Sequence, residues 1–177
     1  MTTVVKEDGT TISGANSLIS LSEFKTLAAN FKDSGELLAA GDDVISQRIV
    51  DGWRTIENNM MWFGRVVSSD ATRLISFPRT GLRGRTGLLY LATQIPDDLK
   101  YAQARMSVAI HNYALLEQAP SDITSYTTTG VTVGLKTRDN VGSRKDTIPS
   151  EVYDILTLYG KTRTEMPVGN LNRKQWA

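Results

Sequence analysis

At 177 residues, with 40% apolar and 22% charged residues, the chain is long enough for one domain with a real core, or one domain plus a tail, and too short for two large domains. The absence of cysteine removes disulfides, thiolate catalysis and cysteine metal sites, and the single histidine, His111, removes most zinc and triad chemistry. A formal net charge of +1 excludes a uniformly basic nucleic-acid magnet. No apolar run nears the roughly 20 residues of a membrane helix and no signal-peptide layout opens the chain, so a soluble, unprocessed protein is expected.

The first fifteen residues are polar and read as extended. Ser20, Leu21, Ser22 and Glu23 have capping-box spacing, in which the serine accepts from the backbone at the glutamate and the glutamate reaches back. Leu21, Phe24, Leu27 and Phe31 follow at helical intervals, and Gly35 is placed to stop this first helix. Asp42 and Asp43 put negative charge where a helix start favours it, and Ile45, Ile49, Trp53, Ile56 and Met60 repeat every three or four residues, predicting a second helix that ends near Gly64.

From Gly64 to Thr93, Pro78 and three glycines interrupt any helix, and Val66, Val67, Leu74, Ile75 and Phe77 predict an irregular excursion with one hairpin. Pro96 suits a first helical turn, Asp97 and Asp98 add the favoured charge, and Leu99, Ala102, Met106, Ala109, Tyr113 and Leu116 predict a long third helix, the spine. His111 falls inside it and reads as a partly buried or boundary residue. Pro120 is expected to end the spine, Val131, Val133 and Leu135 alternate as in a half-buried strand, and Arg138 to Thr147 is polar and expected to be mobile. Pro149 opens a short fourth helix through Val152, Ile155, Leu156 and Tyr159, with Gly160 at its C-cap, and the last residues have no periodicity. The predicted fold class is mainly α: four helices with a long central one, a small β element, a domain over residues 1–160 and an extended tail over 161–177.

The charge distribution is uneven. Nine acids face five bases from Met1 to Met60, whereas only Asp70 opposes Arg65, Arg73, Arg79, Arg83 and Arg85 from Met61 to Arg85. The tail from Lys161 onward is again basic. Such asymmetry fits either an acidic protein partner or a phosphate backbone. Asp42 with Asp43 and Asp97 with Asp98 are better read as helix-start charges than as acid-base pairs, because adjacent helical side chains point about 100° apart. Gly81, Gly84 and Gly87 match no mononucleotide or dinucleotide fingerprint and read as an interaction loop. Trp53, Trp62 and Phe63, with Met60 and Met61, could form a base-stacking platform but read more readily as core or subunit interface. Trp176 in the tail reads as an anchor. No catalytic, cofactor or metal constellation is visible, and a non-enzymatic protein is expected.

Several short motifs carry a family resemblance. Glu7-Asp8-Gly9-Thr10 precedes Ala15-Asn16-Ser17 and the capped first helix, Phe77-Pro78-Arg79 follows, then Ile95-Pro96 with Ala102 and Ala104, and finally Gly130-Val131-Thr132-Val133 before the proline-opened helix. In this order they resemble tailed-bacteriophage head-tail connector proteins, also called adaptor or head-completion proteins, some of which carry a DnaT-like label. Leu18 stands where that family commonly has an aromatic, and Arg83, Gly84 and Arg85 do not map onto it.

The resemblance implies a helical adaptor forming a homo-oligomeric ring, usually of twelve copies, in the neck of a virion assembled in the host cytoplasm. It implies binding to the portal protein above and to tail or nozzle proteins below, close to double-stranded DNA and without a membrane. Arg163, Met166, Leu171, Arg173, Lys174 and Trp176 would then bind the portal, and Arg65, Arg73, Arg79, Arg83 and Arg85 would meet neighbouring subunits or the DNA channel. The alternative is a single-stranded-DNA-binding replication accessory, using Arg73, Arg79, Arg83 and Arg85 for phosphate and Trp62 or Tyr90 for stacking.

Overall fold

A computed structural model describes residues 2–68, 72–118, 125–128, 131–134 and 148–163. Its helices are α1 (Leu21–Ala28), α2 (Gly35–Ala39), α3 (Asp42–Asn59), α4 (Asp97–Gln118) and α5 (Ser150–Leu156). Its strands are β1 (Met60–Trp62), β2 (Arg65–Val66), β3 (Arg79–Thr80), β4 (Ser125–Thr128), β5 (Val131–Gly134) and β6 (Gly160–Thr162). The strands form three antiparallel pairs among the described residues: β1 with β6, β2 with β3 and β4 with β5.

The expected four-helix, mainly α adaptor is therefore corrected to a mixed α and β protein. Three local events make the difference. Gly35, expected as a stop, is the first residue of α2. The backbone at Met60 turns extended, with φ −110° and ψ 147°, so Met60–Trp62 leaves the helix as a strand instead of continuing it toward Gly64. Gly160, expected as a helix cap, enters β6 opposite Trp62, and Lys161 and Thr162, expected to open the tail, pair with Met61 and Met60. The expected end of the spine at Pro120 and the segment from Arg138 to Thr147 lie outside the described residues.

Local chemistry explains the helix starts. Ser20 Oγ accepts from Glu23 N at 3.2 Å while Ser20 N donates to Glu23 Oε2 at 2.8 Å, closing the capping box. Asp42 and Asp43 on α3, and Asp97 and Asp98 on α4, lie in first turns where exposed backbone N–H groups favour anions.

Helices α3 and α4 make the central contact. They approach closely at Gly52, where a side-chain carbon would overlap Ser107 Oγ and crowd its backbone nitrogen. One cluster of buried side chains joins Leu18, Trp53, Ile56, Phe77, Leu99, Met106, Leu156 and Tyr159, and a second joins Ile19, Phe24, Leu37, Ile45, Ile49 and Val108. Gln103 is fully buried between these elements. Its Oε1 accepts from Leu18 N at 2.9 Å, and its Nε2 donates to Ser17 Oγ at 2.8 Å and to Ile49 O at 3.0 Å. An amide in this position costs little because its hydrogen-bonding capacity is met, and it fixes the N-terminal segment to both central helices.

Candidate nucleic-acid interface

The β1–β6 ladder sits on the C-terminal end of α3. Trp62 turns inward: its ring stacks on Trp53 at 5.7 Å with planes 8° apart and meets Phe77 edge-on at 5.0 Å, contacts worth about 0.5–1.5 kcal/mol each beyond area burial. Side chains alternate along a strand, so the residues on either side of Trp62 face outward. Phe63 continues the ladder by donating its N–H to Tyr159 O at 2.8 Å, yet its side chain is 44% exposed. Across the ladder from Met61 stands Lys161, exposed between buried Gly160 and buried Thr162. Arg163 follows at once, also exposed.

Gly64 turns the chain from β1 into β2. Its φ of +72° is the left-handed region that favours glycine, and any Cβ would run into the Thr80 carbonyl. Beyond the turn, Arg65 pairs across to Thr80 with its side chain exposed. Phe63 therefore carries a cation two residues to each side: Arg65 along the chain and Lys161 opposite Met61.

Arg79 holds this arrangement from beneath. The side chain is buried, its Nε donates to Phe63 O at 2.8 Å, Nη2 donates to Gly64 O at 2.7 Å and to Trp62 O at 3.4 Å, and Nη1 donates to Ser76 O at 3.2 Å. A guanidinium presents five N–H donors in a fixed planar fork, enough to tie three consecutive carbonyls and the Ser76 carbonyl at once. Burial lowers the Arg79 pKa, opposed by the nearby Glu57 carboxyl, and burial raises the Glu57 pKa, opposed chiefly by a hydrogen bond from Ser76.

The predicted site residues separate into three groups. Arg73 and Arg79 are internal: Arg73 donates to Glu7 at 2.6 Å and to Phe77 O, with only 2% of its side chain exposed. Arg83 and Arg85 lie on a hairpin, Arg83 donating to Gly87 O at 2.9 Å and Arg85 pairing with Asp98 at 3.3 Å. Arg65 and Arg163 are exposed beside Phe63 and Lys161, with no acid paired to either among the described residues. Met166, Leu171, Arg173, Lys174 and Trp176 lie outside the described residues.

The predicted stacking groups move too. Trp53 is core, Trp62 packs on it, and the Tyr90 hydroxyl sits 3.4 Å from that of Tyr159, leaving Phe63 as the aromatic that faces solvent here. His111 is buried, which lowers its pKa and favours the neutral imidazole. Lys161 was legible only as a tail base, because its place opposite Met61 depends on a pairing across about a hundred residues of chain.

An exposed aromatic set between cations that no acid pairs among the described residues, on a ladder fixed by a buried arginine, defines a small mixed α and β protein with a surface suited to a polyanion carrying flat groups. The model of a family described as “Putative DnaT-like ssDNA binding protein” matches residues 1–173, and the chain belongs to that family. Comparison with curated proteins and with solved structures found no match to the chain. The family match overturns the head-tail connector reading, together with the virion, head-completion and portal-binding roles that followed from it. It favours the alternative expected from the sequence, a single-stranded-DNA-binding role.

Proposed function

We propose that the chain is a non-enzymatic, single-stranded-DNA-binding replication accessory that uses the outward face of the β1–β6 ladder and the turn into β2. Bases stack on Phe63, and Arg65, Lys161 and Arg163 contact the phosphates on either side. The observation that carries this reading is the exposed Phe63 ring flanked by cations that no acid neutralises among the described residues. Family membership supports the same ligand class.

Stacking on one ring and Coulomb contact with phosphate both ignore base identity, so binding is expected to be tolerant of sequence. Duplex DNA hides base faces inside its stack, so the ring favours single strands. Arg79 acts as a positioning residue: it holds the carbonyls of Trp62, Phe63 and Gly64 and thereby orients Phe63 and Arg65. Competition between a labelled single strand and its unlabelled duplex tests the assignment. The single strand should compete far better, and equal competition by the duplex would refute the role given to Phe63.

A further inference from the structure

The hairpin between β3 and α4 is not used by this surface. Its backbone is held by Gly84 N donating to Leu88 O, Gly87 N to Gly84 O and Tyr90 N to Leu82 O, each at 2.9 Å, with Arg83 bridged to Leu89. Leu82 is buried and Tyr90 packs against the core, so the base of the hairpin is anchored. Its outer part nevertheless exposes Leu88 by 73% and Leu89 by 60%, and Leu91, just past the base, is 66% exposed. Aliphatic side chains give a base nothing to stack on, and neighbouring leucines held in water on an ordered hairpin suit a protein-docking surface.

A receptor of matching character lies on the same chain. Helices α1 and α4 border a groove of about 350 Å³, with Leu27 supplying apolar surface above fully buried Ile19, and with Glu23, which pairs with Lys6, and Asp97 and Lys100 supplying charge. The Asp97 side chain is 91% exposed, with Lys100 as its ion partner. The hairpin brings Arg83, which no acid neutralises among the described residues, beside the leucines. Hairpin and groove also adjoin: Arg85 binds Asp98, the residue after Asp97, at the start of α4. Two complementary patches on one chain can engage reciprocally about a twofold axis, each copy giving its hairpin and receiving its partner's.

We infer that the leucine hairpin of one copy docks into the α1–α4 groove of a second copy, with Leu88 and Leu89 filling the groove and Arg83 facing Asp97 of the second copy. The resulting dimer presents two Phe63 faces. A strand long enough to reach both is held more tightly than either face alone can hold it.

Sedimentation equilibrium of the full chain tests this, with binding of a short oligonucleotide measured on the same samples. The wild type should reach twice the 19.5 kDa chain mass as concentration rises. L88D/L89D should weaken association by about tenfold or more while leaving the circular dichroism and melting temperature unchanged, because both side chains are exposed. R83D and D97R should each weaken it, and the double variant R83D/D97R should restore it. Short-oligonucleotide affinity should stay the same throughout, which separates this inference from the DNA-binding surface. A chain that stays monomeric, leucine variants that change only its affinity for DNA or for a different protein, or a double variant no better than its parents would each overturn the dimer.

Discussion

Replacing Phe63 with alanine isolates the stacking contribution to DNA binding. The ring is 44% exposed and lies outside the two core clusters, while its backbone bonds to Tyr159 and Arg79 do not involve the side chain. Folding stability should therefore fall by less than about 1 kcal/mol. Loss of one base–aromatic stack costs about 1–3 kcal/mol, so affinity for a single strand should fall by about 5- to 150-fold. The slope of log affinity against log salt should not change, because no cation has been removed. Fluorescence anisotropy of a labelled oligothymidine at several salt concentrations reads both quantities, and thermal melting reads the first. Unchanged affinity in F63A, or a loss accounted for by unfolding, would refute the stacking role.

Replacing Arg65 or Lys161 with alanine should instead flatten the salt slope by about 0.7 for each phosphate that is no longer neutralised, as measured in the same titrations. Gly64→Ala forces a left-handed backbone and a clash with the Thr80 carbonyl; about 2 kcal/mol of stability should be lost in a denaturant melt, with DNA affinity reduced as the Phe63–Arg65 turn shifts. Gln103→Leu strands the Leu18 N–H, while the Ile49 carbonyl keeps its bond within α3, and should cost about 1–3 kcal/mol, again read by denaturant melting. The raised pKa of Glu57 means that the folded chain holds a proton there which the unfolded chain releases near pH 4.5. This contribution to stability should fall as pH rises from that value through the higher folded pKa, and Glu57→Gln should abolish that part of the pH dependence of the melting temperature.

Local patterns were legible in the sequence, and distant pairings were not. The capping box at Ser20 and Glu23 spans three residues, and α3 and α4 carry their own apolar periodicity, so each could be read from one stretch of chain. Met60 continues the spacing of α3 and offers no local sign that the backbone turns extended there. That change comes with β6, whose Thr162 lies about a hundred residues further on. The arginine-rich stretch misled for a similar reason. Composition counts charges but does not show that Glu7 and the carbonyls of Trp62, Phe63 and Gly64 consume Arg73 and Arg79. Short motifs in order suggested a connector, whereas the family match draws on nearly the whole chain.

The central claim is tested most directly by titrating the wild-type chain into a labelled oligothymidine across a salt series. With Arg65, Lys161 and Arg163 on phosphate, binding should be measurable at low salt and weaken with a slope near −2 in log affinity against log salt, from about 0.7 for each of the three cations. No binding at low salt, or binding indifferent to salt, would contradict the account.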